Sequence, residues 1–124
     1  MSEIKKDEER EDRIEDEAVV DAYGREERAM GWYYYLADKI TFPFTAECFK
    51  KIARSPLKVG EKVTVSRMMG EGDWDYGEDM YVEISWNNRK FTVPLAQLKP
   101  LDVDDDTLEA IEDWHYWKDR GYLF

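Results

Sequence analysis

The residues with the clearest chemical potential lie in one acidic segment between Met69 and Met80. This segment holds three glycines, no basic residue and five carboxylates, which are Glu71, Asp73, Asp75, Glu78 and Asp79. Carboxylates this close repel one another, and a bound cation relieves the repulsion. Hard divalent cations, calcium above all, take about six to eight oxygen ligands from flexible carboxylate-rich loops. The composition therefore predicts calcium ligands at Asp73, Asp75, Glu78 and Asp79, and a solvated hairpin tip is the alternative.

Asp38 is a further candidate ligand, because it falls at the C-terminal end of a helix predicted over residues 25–39. The helix dipole disfavours negative charge at that end, so an acid there is either solvated or offset by a cation. Carbonyl groups freed at a helix C-terminus can act as additional oxygen ligands. Asp38 and the acidic segment are predicted to form either one calcium site or two.

Neither acidic run of the chain fits the EF-hand template. In the run that starts at Asp102, Thr107 stands where the sharp turn requires glycine, and Asp113 stands where a bidentate Glu is expected. Helix capping explains the acids of this run at least as well. In the segment after Met69, Gly77 replaces a ligand and Glu78 occupies the glycine position. The sequence therefore predicts calcium binding without an EF-hand.

Charge and composition exclude several other classes of function. A net charge of −11 disfavours nucleic acid and anionic membranes as partners. The single cysteine, Cys48, allows no disulfide within the chain, and the single histidine, His115, leaves no nucleophile–base pair. The charged N-terminus is no signal peptide, and no apolar run is long enough to span a membrane. We expect a soluble, cytoplasmic, monomeric protein that is not an enzyme.

The elements that must position these residues are an N-terminal segment and the domain that follows it. Residues 1–18 are predicted to be an acidic arm or marginal helix, because residues 3–17 carry nine acids and four bases around a thin apolar stripe. Residues 19–124 are predicted to form a single calcium-binding domain. Its first helix covers residues 25–39 and buries Ala29, Tyr33, Leu36 and Ile40, with Trp32 beside them. Pro43 prevents the helix from continuing.

From Phe42 onward the apolar period changes to two, which predicts short strands. Asn87-Asn88 fits a tight hairpin turn because Asn tolerates positive φ. Short strands at about 42–101, with one helical turn over residues 95–98, predict a small SH3-like β-barrel. A C-terminal helix at about 106–119 follows, with Asp106 as N-cap and Glu109 completing a capping box. The predicted fold class is α+β, with helices flanking the barrel.

A different class of function is also compatible with these features. An acidic SH3-like module could bind a basic protein partner, with Trp74 and Tyr76 of the acidic segment as contact residues. Partner capture without calcium would favour this alternative.

Four blocks of the chain resemble the cyanobacterial calcium-binding protein family. The blocks begin at VVDAYGREERAMGWYYYLADKITFPFTAECF and SPLKVGEKVTV, and continue with MYVEISWNNRKFTVPLAQL and IEDWHYWKDRGYLF. The resemblance covers about residues 16–124 and implies a small cytosolic calcium buffer or sequestering protein that lacks EF-hands and catalysis. In filamentous members it implies control of free calcium during heterocyst differentiation. Asp38 lies inside the first block, so the resemblance implies a ligand role for it.

Overall fold

The computed structural model describes residues 7–19, 24–52, 55–69 and 80–120. These residues form an α+β fold of three helices and one antiparallel sheet. The helices are α1 (Glu8–Arg13), continued by a π-helical turn (Ile14–Ala18), α2 (Arg25–Lys39) and α3 (Asp105–Asp119). The strands are β1 (Phe44–Cys48), β2 (Lys62–Met68), β3 (Tyr81–Trp86), β4 (Arg89–Pro94) and β5 (Leu98–Leu101), and a 3₁₀ turn (Leu95–Gln97) precedes β5. None of the described helices combines the length and apolar character that crossing a bilayer requires.

The sheet has the strand order β4-β3-β2-β1-β5 and does not close within the described residues. The strands β4 and β5 are its edges, so the predicted closed SH3-like barrel is not confirmed. The predicted hairpin turn is confirmed, with φ of 50° at Asn87 and 61° at Asn88. Both residues adopt the left-handed conformation that a two-residue hairpin turn requires.

The core lies between the sheet and the helices α2 and α3. In β1 the side chains of Phe44, Ala46 and Cys48 are buried, as their period of two predicts. The ring of Trp32, from α2, lies edge-to-face against Trp114 of α3, with centroids 5.0 Å apart. Both indoles are fully buried, so this aromatic pair fixes how the two helices pack.

The bounds of α2 agree with the prediction, and its buried residues differ only in part. Ala29, Trp32, Leu36 and Ile40 are buried, whereas Tyr33 is half-buried. Tyr35 is buried instead, and its hydroxyl reaches α3.

The start of α3 differs from the prediction. Asp104, not Asp106, is the N-cap, and its carboxylate accepts a hydrogen bond of 2.7 Å from the N–H of Thr107. The predicted capping box is therefore wrong, and Glu109 faces Lys39 of α2 instead. The apolar spacing of this helix predicts Leu108 on its buried side, but Leu108 is 38% exposed. The sequence also predicts that Gly121 ends this helix and that the apolar tail at 122–124 docks on the domain, but residues 121–124 lie outside the described part of the chain.

Candidate metal centre

Asp38 is exposed in the last turn of α2. It shares the outward face of the helix with Glu27 and with Tyr34, whose side chain is 60% exposed. Its carboxylate therefore faces solvent at the end of the helix where the dipole is negative. An exposed carboxylate in that position is open to a cation.

The same last turn of α2 also carries main-chain carbonyl oxygens. In a continued helix the N–H groups of residues 41 and 43 would bond to the carbonyls of Ala37 and Lys39. The N–H of Thr41 instead donates to Oγ1 of Thr107 at 2.9 Å, and Pro43 has no N–H to donate. The end of α2 thus combines a carboxylate with carbonyl oxygens that lack their helical donors. Calcium accepts this mixed oxygen set, so the donor chemistry fits the ion.

The acidic segment starts and ends near the same end of the sheet. Phe44, the first residue of β1, lies opposite Val65, and β2 runs on to Met68 past the start of β1. Met69 then bonds to Tyr81 through its N–H at 2.9 Å, and α2 contacts β2. Both described residues that flank the segment, Met69 and Met80, therefore lie at the sheet end from which α2 enters β1. The predicted ligands Asp73, Asp75, Glu78 and Asp79 themselves lie outside the described residues.

Within residues 7–19, 24–52, 55–69 and 80–120, no group of three or more His, Cys, Asp or Glu side chains is arranged to hold a metal ion. Asp38 therefore belongs to no such group of three among the described side chains. A calcium shell built on it must draw its other oxygens from the main chain, from water or from the acidic segment.

A different acid, Asp113, is the most heavily coordinated carboxylate of the described chain. It is fully buried in α3, yet it accepts bonds from two guanidinium groups of α1. Arg10 Nη1 and Arg13 Nη2 each lie 2.7 Å from Oδ1, and Arg13 Nε lies 3.0 Å from Oδ2. The hydroxyl of Tyr35 donates to Oδ2 at 2.6 Å. Its two carboxylate oxygens already accept four hydrogen bonds within the protein, so Asp113 is not available as a metal ligand.

This buried cluster shifts the titration of its neighbours. Burial and the bond to Asp113 raise the pKa of the Tyr35 phenol well above its usual range, so the phenol stays protonated and donates. The bond from Lys39 lowers the pKa of Glu109, which keeps that carboxylate ionised. The cluster therefore holds a fixed pattern of charges at neutral pH.

His115 and Asp104, which the sequence does not favour as functional sites, have structural roles. His115 places its Nε2 3.3 Å from the carbonyl oxygen of Leu95, and its ring packs against Phe49. Asp104, in the run tested against the EF-hand, caps α3.

Comparison with known proteins decides the family. A family profile for calcium binding, that of CcbP, matches residues 12–118, which is most of the chain. The chain belongs to the CcbP family of calcium-binding proteins. The crystal structure of Anabaena CcbP is 46% identical to it, with a TM-score of 0.86 and full coverage of both chains. A structure described as a calcium-binding protein in the calcium-binding form is 44% identical, with a TM-score of 0.80 and the same coverage. The comparison with curated proteins found no match.

In this CcbP-family chain, sequence reasoning missed the buried cluster around Asp113. The only available signal was that Asp113 and Glu109 lie one helical turn apart, beside the apolar positions of α3. Its partners Arg10 and Arg13 lie about a hundred residues earlier in a segment that looks merely solvated.

Proposed function

We propose that this protein binds calcium reversibly through oxygen ligands at the C-terminal end of α2 and in the adjoining acidic segment. The observation that carries the proposal is the exposed carboxylate of Asp38 in the same helical turn as main-chain oxygens without helical donors, in a chain of a calcium-binding family. The relative described in its calcium-binding form, 44% identical over the full length, supports calcium as the ion.

Direct ligand roles are proposed for the five predicted carboxylates, which are Asp38, Asp73, Asp75, Glu78 and Asp79. The flanking residues Met69 and Met80 lie at the sheet end where α2 ends, which supports one shared site or two adjacent sites. The other acids of this chain, whose net charge is −11, would raise the local calcium concentration without coordinating the ion.

The biological role that follows is that of a calcium buffer or sequestering protein. Reversible binding without a catalytic constellation suits a non-enzymatic, monomeric protein of the cytoplasm. In a filamentous cyanobacterium such buffering would contribute to calcium signalling during heterocyst differentiation. A comparison of free cytosolic calcium in cells with and without the protein tests this role, and unchanged calcium transients would contradict it.

An SH3-like topology of the sheet is part of the same proposal. The order β4-β3-β2-β1-β5 and the 3₁₀ turn before β5 support it, because this arrangement is typical of SH3-like folds. In this view α2 and α3 flank an incompletely closed barrel, and the acidic segment connects two of its strands. An experimental structure with β4 and β5 far apart would contradict it.

The central experiment is a calorimetric titration of the full chain with calcium, in millimolar magnesium and about 0.15 M salt. Saturable heat at micromolar calcium is expected, because a flexible oxygen shell favours calcium over the smaller and more strongly hydrated magnesium. Heat that magnesium abolishes would reduce the carboxylates to a solvated acidic surface.

The Asp38→Ala variant tests the ligand at α2. We expect calcium affinity to fall at least tenfold while the thermal unfolding midpoint stays close to that of the wild type, because Asp38 is exposed. Asp119→Ala is the matched control, since Asp119 is also an exposed acid at the C-terminal end of a helix. Equal affinity for the wild type and Asp38→Ala would remove Asp38 from the site.

The acidic interaction module is the alternative function, with Trp74 and Tyr76 as contact residues. A titration without calcium heat, together with calcium-independent capture of a basic protein that Trp74→Ala abolishes, would favour it over calcium binding.

A further inference from the structure

The last turn of α2 sets a cation next to the proposed calcium ligand. Lys39 follows Asp38 directly in the chain, and both precede the end of the helix. An ammonium group on a flexible four-carbon stem could approach within a Debye length, about 8 Å, of an ion at Asp38. At that range it would repel calcium and partly neutralise the carboxylate.

The side chain of Lys39 is instead held on a different side of α2, toward α3. Its Nζ lies 2.5 Å from Oε1 of Glu109 and 3.4 Å from the hydroxyl of Tyr35. The ammonium also lies over the Tyr35 ring, 5.1 Å from the centroid. Only 17% of the Lys39 side chain is exposed, whereas neighbouring Asp38 faces solvent. Successive helical residues point about 100° apart, so the contact with Glu109 commits Lys39 to a face that Asp38 does not share.

We propose that Glu109 is a positioning residue for calcium binding: it holds the Lys39 ammonium against α3 and neutralises it, so that Asp38 presents its full negative charge to the ion. This inference rests on the proposed ligand role of Asp38. It gives Glu109 a function at a site that it does not touch. It also joins the site to the Asp113 cluster, because Tyr35 contacts both Lys39 and Asp113.

The test compares calcium affinities by calorimetry for the full-length chain and its variants. At about 0.01 M salt, where screening is weak, Glu109→Gln frees Lys39 and is expected to weaken calcium binding about fivefold, which is the effect of a unit charge on a divalent ion at about 8 Å in water. The double variant Lys39→Gln/Glu109→Gln removes the freed cation and is expected to bind within about twofold of the wild type. Glu112→Gln is the charge-matched control on the exposed side of α3, with less than about twofold effect.

The double variant also separates positioning from a merely structural role. Glu109 lies 3.5 Å from Arg13 Nε as well, and loss of that contact with α1 cannot be repaired by changing Lys39. Rescue by Lys39→Gln is therefore expected only if the freed ammonium causes the defect. If Glu109→Gln fails to fold, Glu109→Asp keeps the charge but shortens the reach to Lys39, and about twofold weaker binding is expected.

The inference is overturned if the double variant binds as weakly as Glu109→Gln, or if Glu112→Gln is equally weak. Wild-type affinity in Glu109→Gln, with a large loss in Asp38→Ala, would overturn this inference alone. Unchanged affinity in Asp38→Ala would remove the proposed ligand and this inference with it.

Discussion

At the scale of single residues, the protein uses buried Asp113 to join its first and last helices. Transferring a carboxylate out of water costs several kcal/mol, and only close hydrogen bonds and opposite charge offset that cost. Arg10, Arg13 and Tyr35 supply both, with four contacts of 3.0 Å or less. Removing Arg10 or Arg13 leaves the fully buried charge of Asp113 with fewer partners.

We therefore expect Asp113→Asn to lower the free energy of unfolding by about 3–5 kcal/mol, because two guanidinium groups lose their buried counter-ion. Urea unfolding followed by fluorescence measures this change. Glu112→Gln, an exposed neighbour in α3, should change stability by less than about 0.5 kcal/mol. A loss below about 1 kcal/mol for Asp113→Asn would show that the cluster adds little to stability.

His115 gives the fold a pH dependence of predictable sign. Burial lowers its pKa below the ordinary value of 6.5, more than the bond to Leu95 and the nearby acids raise it. Below about pH 6.5 the unfolded chain therefore binds a proton more readily than the folded chain does. Stability from this group is fully present above that pH and is lost as the pH falls toward the lowered folded-state pKa.

Thermal unfolding at about pH 7.5 and about pH 5.5 measures this contribution. We expect the wild type to lose more stability between the two values than His115→Gln, which has no ionisable ring. An identical loss in both proteins would assign the pH dependence to other groups.

At the scale of elements, the N-terminal helix is docked on the rest of the protein at one unusually close contact. The carbonyl of Ala18, at the end of the π-helical turn, lies against the backbone of Gly31 in α2. A side chain at position 31 would collide with that carbonyl, so the absence of a Cβ lets the two segments approach. The buried side chains Ile14 and Ala18 complete the docking.

The stability of a Gly31→Ala variant shows whether helix propensity or packing against Ala18 dominates at this position. Helix propensity alone predicts a gain of about 1 kcal/mol for alanine in a helix interior. The clash with Ala18 predicts instead a loss of about 1–3 kcal/mol, as for overpacked interiors, because backbone atoms must shift. Chemical denaturation of the variant decides between them, and a more stable protein would contradict the docking described here.

Local patterns predicted which elements form better than they predicted the residue at which α3 begins. The helix at Arg25–Lys39 and the turn at Asn87-Asn88 depend on periodicity and on φ preferences that neighbouring residues determine. The cap of α3 was misassigned because several successive acids can all cap a helix. Thr107 decides between them, since its N–H bonds to Asp104 while its hydroxyl accepts from Thr41.

At the scale of the whole molecule, the dominant property is a net charge of −11. A field of this sign attracts cations from a distance, and salt screens it. The same charge opposes compaction of the chain. The ion pairs of Arg10, Arg13 and Lys39 with acids of α3 therefore matter for the stability of the fold.

Calcium affinity is accordingly expected to fall several-fold as salt rises from about 0.05 M to about 0.5 M, because screening removes the long-range part of the attraction. Calorimetry in sodium chloride and in tetramethylammonium chloride measures it. A similar fall in both salts is expected from screening, since the bulky organic cation cannot enter an oxygen shell. A fall in sodium chloride alone would instead indicate competition for the ligands.

The resemblance of four sequence blocks identified the family. By itself, the sequence also determined the α+β class, the order of the elements and the excess of acidic oxygens that suits calcium. These properties are encoded in composition, in periods of two and 3.6 residues, and in turn chemistry, all of which act over a few neighbouring positions. Tertiary structure alone decided which charged side chains pair with one another inside the fold. Asp113 meets Arg10 across 103 residues, and Lys39 meets Glu109 across 70. Such contacts depend on how helices pack, because burial rather than local pattern decides whether an acid is a solvated group, a structural ion or a ligand.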